Sequence, residues 1–466
     1  MPRRFWLETL GCPKNQVDSD KLAGRLAAGG AVPADRPDEA ELVVVNTCAF
    51  IEEARQESVD TILALAGARA DGARLVVTGC LAERYGDELA AALPEVDLVA
   101  GFGREVDLDA AASPAPAAKA GALAPAGSAG SAGAPVPVSI GRRPVPAVPE
   151  FDLLNLPRPK ATAPWAYVKV AEGCDRACGF CAIPSFRGPQ RSRPLGAVLG
   201  EIEALEVAEV VLVAQDLASY GRDQGVGERG IVPLVQAASA LVPRVRLLYL
   251  YPSDLTGALV DAVCATGVPY FDLSLQHVSR PLLRRMRRWG DGDRFLQRVR
   301  AIRAQEPEAA FRSSFIVGYP GETEADHDRL LHFVEEAQLD WCGFFAFSEE
   351  PGTYAAGLDG AVDGALVRER LGELRELQDG ITARRRNDLV GRRVEVLVDE
   401  PGVGRTHREA PEIDGIVEVP DDLPTGTFAS LVVSAAWGTD LVAAPLGVAP
   451  EAAGVARAAA GQGAAR

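Results

Sequence analysis

The stretch from Glu172 to Gly188, EGCDRACGFCAIPSFRG, decides how this chain is read. It sets Cys174, Cys178 and Cys181 in a Cys-x-x-x-Cys-x-x-Cys spacing, directly after the strand-like run WAYVKVA that begins at Trp165. Three thiolates this close can hold three irons of a 4Fe–4S cube, whose usual ligands are cysteine thiolates, and the fourth iron is then left open. Structural zinc instead closes its shell with four protein ligands. No obvious fourth stands near: Glu172 and Asp175 are carboxylates, and the loop holds no histidine.

Working outward, apolar runs at Trp165–Ala171, Val210–Gln215, Leu247–Tyr251, Phe271–Gln276, Arg312–Gly318 and Cys342–Phe347 alternate with helical stretches. Six strand–helix units predict a partial (β/α)6 barrel over residues 161–390, ended by a charged amphipathic helix at Leu366–Arg386. Residues 391–447 shift to short alternating strands, VEVLVDE, GIVEV and ASLVVSAAW, broken by Gly, Pro and Asp, which predicts a small β-barrel. On the other side, residues 106–160 include a run of Ala, Pro, Gly and Ser that lacks the side chains to bury a core and reads as a low-complexity, disordered linker. The Ala/Gly-rich residues 448–466 read as a disordered tail. Residues 1–105 alternate strands at Phe5–Leu10, Leu42–Asn46 and Leu75–Thr78 with helices at Asp18–Ala28 and Ile51–Ala66, the pattern of an α/β domain with a parallel sheet.

That front domain holds a second trio. FWLETLGC, LVVVNTC and LVVTGC each put a cysteine, Cys12, Cys48 and Cys80, immediately after an apolar strand. In a parallel sheet the carboxyl ends of the strands share one edge, so three such thiols meet there. The alternative is three small buried hydrophobes at strand ends. Cys264 and Cys342 lie in apolar surroundings and read as core thiols, and the four histidines, His277, His327, His332 and His407, form no ligand spacing.

Length and composition bound the rest. A chain of 466 residues exceeds one compact core and implies two to four domains. No apolar run reaches the roughly 18 to 20 residues of a membrane span, and MPRRFWLETLGC turns polar too early for a signal peptide, which places the chain in the cytoplasm. In that reducing compartment eight cysteines point to metal ligation or catalysis rather than to disulfides. A formal net charge of −17 argues against a broad basic nucleic-acid surface and for a basic protein partner, while leaving room for a local basic groove.

The central loop resembles the signature of the radical S-adenosylmethionine (SAM) superfamily. That resemblance implies SAM chelated on the open iron and cleaved reductively to a 5′-deoxyadenosyl radical. Phe180, just before the last cysteine, matches the position that packs near the adenine, and otherwise reads as a loop-anchoring core ring. By position alone, Gln215, Gln276 and Gly318 end barrel strands, where loops build the site, and are either SAM contacts or strand-end structural residues.

The runs LGCPKNQVDSD, VVVNTCAFIEEARQES and VVTGCLAERYG resemble the N-terminal domain of the methylthiotransferases, which implies that Cys12, Cys48 and Cys80 hold an auxiliary 4Fe–4S cluster. Two substrate classes compete in that family, an aspartate of a small-subunit ribosomal protein and an adenosine of transfer RNA. LGCPKNQVDSD, VAQDLASYG, LYLYPSD, FRSSFIVGYPGETEAD and RTHREAPEIDG lean to the first. The resemblance then implies methylthio insertion at the aspartate β-carbon, SAM as methyl source and an electron donor of flavodoxin or ferredoxin type. The C-terminal barrel resembles the TRAM domain, usually an RNA-binding module. Between Arg392 and Asp440 it carries four cations, Arg392, Arg393, Arg405 and Arg408, against ten carboxylates. Phosphate binding needs the opposite balance, so a basic ribosomal protein suits it better, with RNA contact secondary, and the chain is expected to act as a monomer. A non-enzymatic alternative is an RNA- or ribosome-binding module whose cysteines hold structural zinc.

Overall fold

The computed structural model describes residues 2–106, 151–225 and 230–445. The front domain runs β1 (Arg4–Thr9), α1 (Pro13–Ala28), β2 (Val32–Pro33), β3 (Leu42–Thr47), α2 (Glu52–Ala68), β4 (Arg74–Gly79), α3 (Cys80–Ala92) and β5 (Leu98–Ala100). Its five strands are all parallel, in the order β2-β1-β3-β4-β5. The central β3, LVVVNT, is buried along its whole length, as befits a parallel strand covered by helices on both faces.

The second domain carries β6 (Trp165–Lys169), β7 (Ala171–Glu172), α4 (Ile183–Arg187), β8 (Arg191–Ser192), α5 (Leu195–Leu205), β9 (Glu209–Val213), α6 (Ile231–Ser239), β10 (Arg244–Leu247), α7 (Gly257–Cys264), β11 (Tyr270–Gln276), α8 (Arg280–Arg285), α9 (Gly292–Gln305), β12 (Ala310–Val317), α10 (Glu324–Ala337), β13 (Trp341–Ala346) and α11 (Gly364–Asn387). Strands β6, β9 and β10 form one parallel sheet and β11, β12 and β13 another. A single parallel bridge from Leu250 to Leu273 joins them. The six-strand open barrel is thus present, with a seam at its middle.

The third strand differs from its expected place. Leu247–Tyr251 was the apolar run, yet β10 spans Arg244–Leu247 and Tyr249 sits at φ 64°, where an extended strand cannot continue. The strand's start is polar because Arg246 points into the barrel floor against Glu209, 2.7 Å away, both side chains fully buried. An inward ion pair hides a strand from hydrophobic periodicity.

The third domain is a closed barrel of β14 (Arg393–Glu400), β15 (Val403–Arg405), β16 (Val417–Glu418), β17 (Phe428–Trp437) and β18 (Asp440–Ala444). Its β15–β16 connection plugs the amino end of the open barrel. Tyr167 donates to the Pro411 carbonyl (2.9 Å), Tyr270 to Asp414 (2.6 Å), and Trp341 Nε1 to the Arg408 carbonyl (2.7 Å).

Of the expected linker, residues 107–150 lie outside the described residues, as does the expected tail. Residues 151–160 are packed rather than loose. Asp152 caps a short turn at Leu153–Asn155, and the buried Lys21 of α1 donates to the Leu154 carbonyl at 2.6 Å. Among the described residues no helix is long and apolar enough to cross a membrane.

Candidate functional site

The three front cysteines sit where β1, β3 and β4 end. Cys12 is the N-cap of α1, followed by Pro13 at the first helical position, and Cys80 opens α3. Cys48 is fixed from α2, since Ser58 accepts from its N–H (3.1 Å) and donates to its carbonyl (3.0 Å). The loops touch: Gly11 takes φ 92°, and a Cβ there would lie 2.9 Å from Cys48 Sγ, so no side chain fits between the first two cysteines.

Two asparagines tie the loops together, and sequence reasoning missed both. Asn15 Nδ2 donates to the carbonyls of Leu10 (2.9 Å) and Thr47 (3.0 Å), and Asn46 Nδ2 to the Asn15 carbonyl (2.8 Å) and Ser19 Oγ (3.0 Å). The only available signal was an asparagine at the end of an otherwise apolar strand, a costly residue to bury without partners.

In the middle trio, Cys174 N–H donates to the Gly188 carbonyl (3.0 Å), folding the loop back on itself, and its Sγ accepts from Arg176 N–H (3.4 Å). Arg176 is held by Asp216 (2.6 Å), by Asp254 and over the Tyr251 ring (3.9 Å). Arg288, following α8, donates to Cys178 Sγ at 3.3 Å.

Arg187, at the end of α4 on the same loop, joins the two trios. It donates to Cys80 Sγ (3.0 Å), Asn15 Oδ1 (2.8 Å) and both oxygens of Glu172 (2.9 and 3.0 Å). Glu172 also pairs with Lys169, which reaches Asp18 of α1 at 2.7 Å. Burial alone raises the Glu172 carboxyl; Arg187 and Lys169 overcome that and hold it well below the ordinary carboxylate range. Lys14 lies over the Tyr249 ring (3.3 Å), and Arg55 and Arg84 both reach Glu350 at 2.6 Å. The edge of the front sheet therefore caps the carboxyl end of the open barrel, where strand-end loops of such folds build sites.

All eight cysteines are free. Burial, reinforced by Cys80 and Cys12, pushes the Cys48 thiol up to about 12; burial takes Cys174 to about 11 and Cys181 to about 12. Cys12 departs from these three: burial raises it, but Lys14, Arg187 and the first N–H groups of α1 bring it below its ordinary value. Among the described residues, no group of three or more His, Cys, Asp or Glu converges on a single metal ion. Two trios of free, mostly desolvated thiols are the donor type a 4Fe–4S cluster takes, each thiolate on a different iron.

Of the other sequence candidates, Gln215 is bonded to Glu172, two residues before Cys174. Its Nε2 donates to Glu172 (2.8 Å), and its Oε1 is buried with no partner among the described residues. Gln276 ends β11 at φ 72° beside an irregularity in register. Gly318 (φ 82°) is required by packing, since a Cβ there would lie 2.5 Å from Val367 of α11. Phe180 packs against the main core.

The barrel's cations are largely committed to docking. Arg405 is buried against Glu209 (3.2 Å) and Asp399 (2.6 Å), Arg408 is buried and binds Glu308, and Arg392 pairs with Glu308 at 2.6 Å. Arg393 alone of the four is exposed without an ion pair among the described residues.

Three family profiles match in chain order: "Uncharacterized protein family UPF0004" over residues 4–101, "Radical SAM superfamily" over 168–334 and "TRAM domain" over 390–446. The chain is 42% identical to the ribosomal protein uS12 methylthiotransferase RimO of Cutibacterium acnes, over 94% of this chain and 97% of the relative. It is 41% identical to the protein of that name from Kineococcus radiotolerans, over 95% and 97%. Among solved structures, the radical SAM methyltransferase TsrM from Kitasatospora setae, with cobalamin and a 4Fe-4S cluster bound, aligns at 14% identity and a TM-score of 0.44, covering 86% of this chain and 80% of that one. Matched across nearly its whole length at this identity, the chain belongs to the RimO family of methylthiotransferases.

Proposed function

We propose that this protein adds a methylthio group to the β-carbon of an aspartate of ribosomal protein uS12, with Cys174, Cys178 and Cys181 holding one 4Fe–4S cluster and Cys12, Cys48 and Cys80 a second. The observation that carries the reading is the single side chain of Arg187, which leaves the middle cysteine loop and bonds to Cys80 of the front trio. It supports two metal centres facing one cleft rather than two separate sites. An unactivated carbon resists polar acid–base attack, and a SAM-bound cluster supplies the radical chemistry such a carbon needs.

The chain's own residues orient and exclude. Arg187, Glu172, Lys169 and Asp18 fix the front domain over the barrel mouth, where water is kept from the cleft. Gln215, with its unpartnered Oε1, offers a polar contact for SAM, and Phe180 an apolar one. Gln276 and Gly318 shape the neighbouring strand ends. The acidic barrel, with Arg405 and Arg408 spent inward and Arg392 paired to Glu308, suits a basic ribosomal protein through complementary charge, which mainly raises encounter rate and selectivity. The transfer RNA alternative is not favoured, because phosphate neutralisation needs free cations there and the curated relatives named above act on uS12.

Anaerobic turnover of reconstituted protein with SAM, a low-potential reductant and either uS12 or transfer RNA, read by mass spectrometry, tests this. A gain of one methylthio group on a uS12 aspartate is expected. Modification of transfer RNA with uS12 untouched would reverse the assignment.

A further inference from the structure

The chain's negative charge is unevenly spread. Between Arg280 and Arg303 it carries nine arginines against two aspartates. Five of these, Arg280, Arg284, Arg285, Arg287 and Arg288, pair with no carboxylate among the described residues, in a chain with 65 acidic residues to offer. Arg280 and Arg284 lie on one face of α8, four residues apart, while Leu282, Leu283 and Met286 are buried on the other. Arg287 follows in the next turn, stacked over the exposed Tyr354 ring at 3.8 Å, and Trp289 is 40% exposed beside it.

This basic face is built onto the middle cysteine loop. The Gly179 N–H donates to the Met286 carbonyl (2.8 Å), Ala355 N–H donates to the Gly179 carbonyl (2.8 Å), and Arg288 reaches Cys178 Sγ. Unpaired guanidinia repel one another and lower stability, so a cluster that folding leaves without counter-ions is placed for an anionic partner. Electron transfer weakens steeply with distance, which favours docking where the cluster loop nears the surface. The exposed rings of Trp289 and Tyr354 add the aromatic contact typical of protein interfaces.

We propose that Arg280, Arg284 and Arg287, with Trp289 and Tyr354, form the docking surface for a small acidic electron-carrier protein that reduces the cluster held by Cys174, Cys178 and Cys181. The inference rests on the cluster reading above. It commits to a protein donor rather than RNA, because the patch adjoins the cluster loop and carries aromatic rings beside its charge.

The test compares the unsubstituted protein with an Arg280→Glu/Arg284→Glu variant, both reconstituted. Both side chains are exposed, and among the described residues neither makes a hydrogen bond or an ion pair. Stopped-flow bleaching of the cluster absorbance would be driven either by photoreduced flavodoxin, an acidic protein, or by photoreduced 5-deazariboflavin, a neutral small molecule. With flavodoxin at low salt the variant should be about tenfold slower, with the two converging as salt rises, while deazariboflavin reduces both equally. Equal flavodoxin rates at low salt, a salt-independent rate in the unsubstituted protein, or equal slowing by deazariboflavin would each overturn the assignment. So would a variant that loses affinity for a ribosomal RNA fragment while keeping its flavodoxin rate. A lack of reducible cluster in the unsubstituted protein would instead sink the cluster reading, and the surface with it.

Discussion

The two cysteine trios solve the same problem by opposite means. The middle trio is local: three thiols on one loop, with Cys174 N–H bonded to Gly188 of the same loop. The front trio is assembled from three separate strand ends of one parallel sheet, tied by hydrogen bonds from Asn15, Asn46 and Ser58. A local site survives much distortion around it, whereas a distributed one fails when any strand shifts. The difference also predicts which function is lost by which lesion.

The sharpest way to break the comparison is to remove one thiol from each side. Cys178→Ala should abolish SAM cleavage and methylthio transfer together, whereas Cys48→Ala should retain SAM cleavage and lose transfer by more than about a hundredfold. Each should halve an iron content of about eight per chain; full iron retention in both variants would refute the two-cluster reading.

Arg187 belongs to both trios, so Arg187→Met should injure both. It leaves Glu172 with Lys169 as its one remaining ion-pair partner among the described residues and should cost about 3–5 kcal/mol in denaturant unfolding, as removal of one partner from a buried ion pair does. A loss under 1 kcal/mol would mean that the two sites are less joined than the hydrogen bonds imply.

The opposite end of the open barrel supplies a contrast by pH. Glu409 is buried with Arg386 and Thr406, and although burial raises its carboxyl, these partners bring it to about 2 from an ordinary 4.5. Its stabilisation is complete above pH 4.5 and is lost as pH falls through about 2, amounting to about 3 kcal/mol. Acid titration of the Glu409→Gln variant, followed by tryptophan fluorescence, should show a flatter loss across that window than the parent.

Asn46→Ala sharpens the comparison at the smallest scale. It frees the Asn15 carbonyl and should cost about 1–3 kcal/mol, lowering front-cluster occupancy while leaving the iron of the middle trio in place. Equal iron loss from both trios would show that the front site is not separately assembled.

Much of this was legible in the chain. The three domains, the parallel sheet, the six-strand barrel and both trios follow from apolar runs and from cysteines at their ends. What stayed hidden was polar and buried. Arg246 and Glu209 concealed the start of β10. The four barrel arginines counted as surface charge include Arg405 and Arg408, which face the core. Glu172, noted only as a carboxylate near the cysteines, anchors Arg187. In each case one-dimensional pattern treats a charged residue as solvated, and only its partner, far away in sequence, makes burial affordable.

The sequence by itself determined which residues are candidates for the chemistry, because thiol spacing and strand-end position are properties of the chain. The tertiary structure alone decided how they are arranged: that Arg187 joins the trios, that the front domain closes the barrel's mouth, and that α8 turns unpaired arginines outward beside the middle cysteine loop. Those are relations between distant residues whose charges, once withdrawn from water, must find each other in space, and no local pattern encodes where that will be.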